Sequence, residues 1–83
     1  MMTKEEIQEW IEGEERGRKE KPFLYQNEFL KYSLSWSEAL KFAKTHDEKE
    51  IINEYNKAKL KNVHNNMEDA GYYKALEMVI KKN

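Results

Sequence analysis

Cysteine is absent from the 83 residues, which excludes a disulfide framework and thiolate chemistry. A single proline and three glycines leave few places where a helix is forced to stop. No apolar run approaches ~18 residues, so nothing reads as a membrane span, and no membrane partner is expected. The opening Met1-Met2-Thr3-Lys4-Glu5-Glu6 lacks the apolar stretch of a secretory signal, which points to the cytoplasm. Large aliphatics are scarce as well: Leu, Ile, Val and Phe total 16 of 83, under the ~20% at which disorder sets in. Disorder also requires a large net charge, and here 16 acids nearly cancel 15 bases. Two Trp, five Tyr and four Met restore apolar bulk. These balances describe one folded, highly charged domain spanning residues 1–83.

Helix signals run the length of the chain, and strand alternation is missing. Thr3-x-x-Glu6 is a capping box, in which hydroxyl and carboxylate each take a free backbone N–H. Ile7, Trp10 and Ile11 follow at helical spacing, so this helix is expected to attach mainly through Trp10. It then either frays after Gly13 or runs on as a solvated rod to Lys19. Pro22 suits a first helical turn, and Phe23, Leu24, Tyr25, Phe29, Leu30 and Tyr32 predict a second, mostly buried helix. Ser33-Leu34 reads as a short connection. Ser35-x-x-Glu38 reads as the next capping box, followed by the amphipathic set Trp36, Ala39, Leu40 and Ala43. Asp47 caps a further helix with Glu48 and Glu50 in its first turn, where the helix dipole favours acids.

From Asp47 to Asn83 the chain looks helical throughout, yet its apolar face turns twice. At 100° per residue, Ile51, Tyr55 and Ala58 share one face. Leu60, Val63, Met67 and Ala70 lie roughly 140° round from it, and Tyr73, Leu76 and Ile80 return to the first. Two readings follow. The helix breaks near Asn62 to Asn66, with Asn66 capping a new segment that opens on Glu68 and Asp69. Otherwise it stays continuous, about 52 Å long at ~1.5 Å per residue, and its second stripe pairs with another copy in a homodimer. Gly71 is a further weak point.

Chemistry is thinly signalled. His46 and Glu50, and His64 and Glu68, stand four apart, as metal ligands on one helix face do. No HExxH accompanies them and neither His lies in an apolar stripe, so no metal or cofactor is expected. No glycine-rich phosphate loop occurs, and Glu9 and Glu12 have no apolar surroundings to raise a carboxyl pKa. An enzyme is not expected. Two binding patterns remain. Glu5, Glu9 and Glu12 form a line of carboxylates suited to a basic groove on a protein partner, with Tyr72 and the Leu60, Val63, Met67 stripe as apolar anchors. Arg16, Arg18, Lys19 and Lys21 form a basic knot beside Phe23 and Tyr25, suited to phosphate and base stacking. Residues 1–15 hold six Glu against Lys4 alone, which repels a phosphate backbone. Gly13 and Gly17, four apart near Trp10, would admit a neighbouring helix.

The expected fold is all-α, a small bundle of three to four helices with a long or kinked C-terminal helical segment. Its core is expected around Trp10, Phe29, Tyr32, Trp36, Leu40 and the Ile51, Tyr55, Leu76, Ile80 face. The expected function is a non-catalytic protein-binding module. The alternative is a nucleic-acid-binding accessory or regulatory protein using residues 16–21. In size and lysine-rich style the chain resembles small accessory reading frames of phages and mobile elements in low-GC bacteria. No motif carries that likeness, which implies an inhibitor or adaptor of a host or defence protein.

Overall fold

A computed structural model describes residues 1–61 and 66–82. It is a small all-α bundle: α1 (Lys4–Glu20), a 3-10 turn (Pro22–Leu24), α2 (Asn27–Thr45), α3 (Glu48–Lys61) and α4 (Met67–Lys81). The helices lie side by side in the order α1, α2, α4, α3, and the molecule is only 19 Å through its thinnest axis. Helix α1 runs antiparallel to α2, since the Lys4 ammonium reaches the carbonyls of Ala43 and His46. Helix α4 runs parallel to α2: Gly71 sits against Tyr32, while Val79 lies beside Met2 at the other end.

The α2–α4 contact is the closest in the bundle. A Cβ on Gly71 would lie 2.4 Å from the Tyr32 carbonyl oxygen, so only glycine lets the two backbones approach this far. Gly71 is therefore the tightest crossing and not a weak point. Ala39, Ala43 and Ala75, all fully buried, extend the seam. Leu40, Ile51, Leu76 and Val79 fill the space around it, each at most 1% exposed.

The C-terminal segment is two helices. Helix α3 ends at Lys61, and Asn66 caps α4 by accepting from the N–H groups of Glu68 at 2.8 Å and Asp69 at 3.3 Å. The expected junction at Asn62–Asn65 lies outside the described residues. Helices α3 and α4 pack against each other: Tyr55 and Tyr73 stack at 5.3 Å, and both hydroxyls donate to Glu77. The Leu60, Val63, Met67 stripe is thus no single helix face. Leu60 is 74% exposed, Met67 and Ala70 are half-buried, and Val63 lies outside the described residues.

Three other expectations are corrected. The second helix does not start at Pro22 or stop at Ser33-Leu34; Pro22–Leu24 is one short turn, and α2 runs unbroken through Ser33–Ser37. No glycine or proline interrupts residues 27–45, and Ser33 and Ser37 are occupied elsewhere, as the next subsection describes. Helix α1 is anchored by Ile7 and Ile11, not by Trp10, which is 47% exposed, and it does not fray after Gly13. Phe29 is outside the core at 46% exposed; Trp36, Tyr55 and Ile80 are half-buried against it, and Tyr32 is half-buried.

Gly71→Ala should destabilise the protein by about 1–3 kcal/mol through overpacking, although alanine is the better helix former. A thermal melt should fall by roughly 4–8 °C per kcal/mol lost. A melt equal to or above the parent's would mean that α2 and α4 separate at no cost. Leu40→Ala should lose about 2–5 kcal/mol, and a melt within a degree or two of the parent's would contradict its burial.

Candidate protein-binding surface

Helix α1 carries both binding patterns, so its packing decides what they offer. Its start is set by the Thr3–Glu6 capping box, with reciprocal bonds of 3.1 and 3.0 Å. Ile7, Ile11, Glu14 and Arg18 then fall within about 60° of one another and face α2. The polar half of this stripe is satisfied internally. Arg18 Nη1 donates to Ser33 Oγ at 2.8 Å, Ser37 Oγ at 2.9 Å and the Ser33 carbonyl at 3.2 Å. Ser33 Oγ in turn donates to Glu14 at 2.7 Å. Ser33, which suggested a turn, and Ser37 are thus tertiary ligands of an arginine, whereas Ser35, the expected cap, lies inside α2 and lines a cavity.

This divides the basic knot. Arg18 is committed to α2, whereas Arg16, Lys19 and Lys21 are exposed and meet no carboxylate among the described residues. The acidic line remains open: Glu5, Glu9 and Glu12 are exposed, and only Glu12 takes a bond, from Gln8 at 3.0 Å. Trp10 stands about 100° or more round the helix from this line, on the flank that faces α4. That flank is identified by Glu6, which approaches Lys82 to 4.0 Å, one turn before Trp10. A Cβ at Gly13 would meet nothing within 4 Å, which leaves a bare shoulder next to the indole. Gly17 offers no such shoulder, because the Tyr25 hydroxyl would sit 2.6 Å from a Cβ there.

Tyr72 is less free than an interface anchor should be. It lines a cavity of about 300 Å³ with Ser35, Glu54, Ala58, Lys61, Glu68 and Asp69. Burial pushes its hydroxyl up to about 12, and the Glu54 and Glu38 carboxylates add to the shift. Leu60 is open to solvent, but Met67 is half-buried. Of the metal-like pairs, His64 lies outside the described residues. His46 stacks on Phe42 at 3.8 Å with Nδ1 against the Phe42 carbonyl. No group of three or more His, Asp or Glu able to hold a metal occurs among the described residues.

One exposed feature escaped the sequence reading. Phe23 and Leu24, at 68% and 51% exposed, form the outer side of the 3-10 turn, and Phe29 stacks on Tyr25 at 5.1 Å. A three-residue turn is too short for periodicity to report which way its side chains point. The one local signal was Gln26-Asn27, where the chain enters α2 through a positive φ at Asn27, a conformation asparagine tolerates better than most residues. Compared with protein-family models, curated protein sequences and solved structures, the chain matches none.

The neutral Tyr72 phenol is the form favoured by the fold. Its contribution is whole below the unfolded pKa near 10 and is lost as pH rises through about 12. Between about pH 9 and 12 the parent should lose stability faster than Tyr72→Phe. Parallel melting curves would place the hydroxyl in water.

Proposed function

We propose that this chain is a non-catalytic protein-binding module whose contact surface is the exposed N-terminal half of α1, with the Glu5, Glu9 and Glu12 line on its outer face and Trp10 on one flank. The observation that carries the reading is Trp10. The larger of its helix's apolar side chains stands 47% exposed, while the helix is held by two isoleucines. Tryptophan is enriched among the residues that dominate binding energy. The line of Glu5, Glu9 and Glu12 supplies a rim of fixed negative charge, which suits a basic groove around an apolar pocket on the partner. With the style of a phage or mobile-element accessory protein, the reading extends to an inhibitor or adaptor acting on a host or defence protein. Self-pairing through Leu60, Val63 and Met67 has lost its motive, since a continuous helix face had suggested it. Nucleic-acid binding keeps three of its four bases, Arg16, Lys19 and Lys21.

The test is capture of partners from host lysate by the parent, by Trp10→Ala, and by a variant with Glu5, Glu9 and Glu12 changed to Lys. Circular dichroism should confirm that both variants are folded. A partner held by the parent should bind Trp10→Ala roughly 30-fold more weakly, as loss of about 2 kcal/mol at a hot spot requires. It should be lost to the charge-reversed variant. Equal capture by all three would remove this surface from the function.

A further inference from the structure

The two ends of the bundle differ in charge and in exposed apolar surface. One end gathers the C-terminus of α1, the 3-10 turn, the N-terminus of α2, the C-terminus of α3 and the N-terminus of α4. The parallel course of α2 and α4 and the antiparallel course of α1 and α3 require this grouping. The cavity joining Ser35 of α2 to Lys61 and Glu68 displays it. Residues 16–32 of this end carry five bases and two acids, and residues 56–61 and 66–72 together carry three bases and two acids. The opposite end, led by residues 1–15, is net acidic.

The most exposed of the large apolar side chains gather at the basic end, whereas Trp10 and Leu34, at 47%, and Ile52, at 39%, lie elsewhere. The three most exposed large hydrophobics among the described residues are Leu60 at 74%, Phe23 at 68% and Leu24 at 51%, and all three lie at the basic end. They stand at two corners of the layer, because α1 and α3 are its outermost helices. Each corner is flanked by bases without a carboxylate partner among the described residues: Arg16, Lys19 and Lys21 at one, Lys57, Lys59 and Lys61 at the other.

We propose that this end seats on the surface of an anionic lipid bilayer, with Phe23, Leu24 and Leu60 entering the headgroup layer and the flanking bases meeting lipid phosphates and carboxylates. The charge of the end selects the occupant's sign. The convex turn and the two aliphatic leucines select its kind: leucine has no π-face for a nucleic-acid base, whereas a bilayer interface takes aromatic and aliphatic side chains alike. Juxtaposed bases and apolar side chains supply the two signals that reversible surface binding needs. The lack of a helix long and apolar enough to cross a membrane concerns spanning and leaves surface docking untouched. This site is separate from Trp10 and the acidic line.

Co-sedimentation with vesicles tests it. Vesicles of phosphatidylcholine with about 30% phosphatidylserine should bind the protein at low salt, and pure phosphatidylcholine should bind it at least tenfold less. Phe23→Ser with Leu24→Ser should weaken binding roughly tenfold, with the melt little changed because both side chains are exposed. Each of Arg16, Lys19 and Lys21 changed to Ser should weaken it by about fivefold. Trp10→Ala should bind vesicles like the parent, which keeps this result separate from that of protein capture. Failure to bind anionic vesicles at low salt overturns the proposal. So does binding that survives the Phe23 and Leu24 changes, or binding fully displaced by an equal charge of duplex DNA, which would assign the end to nucleic acid.

Discussion

Everything in this fold hangs on the approach of α4 to α2 at Gly71. With the Tyr32 carbonyl where a side chain would begin, the two helices share a seam of glycine and alanine instead of large side chains. A close seam removes apolar backbone and methyl surface from water on both helices, and it does so with few bulky residues. That suits a chain poor in aliphatics. It also sets the plan of the molecule. Two helices in contact leave one free flank each, and α1 and α3 take those flanks, so the result is a thin layer and not a square bundle.

A thin layer has little interior. The fully buried side chains larger than alanine are few, Ile7, Leu40, Ile51, Leu76, Val79 and Ser33, and the helices must be fastened partly by polar groups. Arg18 with Ser33, Ser37 and Glu14 fastens α1 to α2, and Glu77 with Tyr55 and Tyr73 fastens α3 to α4. The Tyr73 hydroxyl and the two lysines beside it hold the Glu77 carboxyl below its usual range, the mark of a carboxylate satisfied as an anion. Both networks keep their charged groups, Arg18, Glu14 and Glu77, only half-buried, so the cost of burying charge is small.

The parts of this fold that were legible in the sequence are those held by local bonds. Thr3, Asp47 and Asn66 each cap a helix through residues two or three positions on, and the division of the C-terminal segment follows from the Asn66 cap. The second helix was not legible, because the partner of Ser33 and Ser37 is an arginine 15 and 19 residues away. Without that partner a serine-rich stretch looks like a turn. Trp10 was misplaced for a related reason. The apolar pattern of α1 stops at Ile11 and takes in Trp10 at one edge. The true buried stripe leaves Trp10 out and continues through Glu14 and Arg18, in line with the isoleucines. Of the candidate site, the acidic line was legible, whereas the loss of Arg18 to the interior and the exposure of Phe23 and Leu24 depend on tertiary contacts.

A small protein that stabilises itself with alanine seams and polar clasps has a use for every large apolar side chain in its core. Yet Trp10, Phe23, Leu24, Phe29 and Leu60 stand largely outside it. Single exposed hydrophobics need no explanation, but these are not scattered at random. Phe23, Leu24 and Leu60 stand among unpaired bases, and Trp10 stands on the half of α1 whose outer face carries Glu5, Glu9 and Glu12. Helix-dipole preference accounts for acids early and bases late in α1. It does not account for bulky apolar groups exposed near each. That placing of apolar groups on the halves of α1 and the bundle that carry charge of one sign is what the two proposed binding surfaces require, and α1 spans the distance between them.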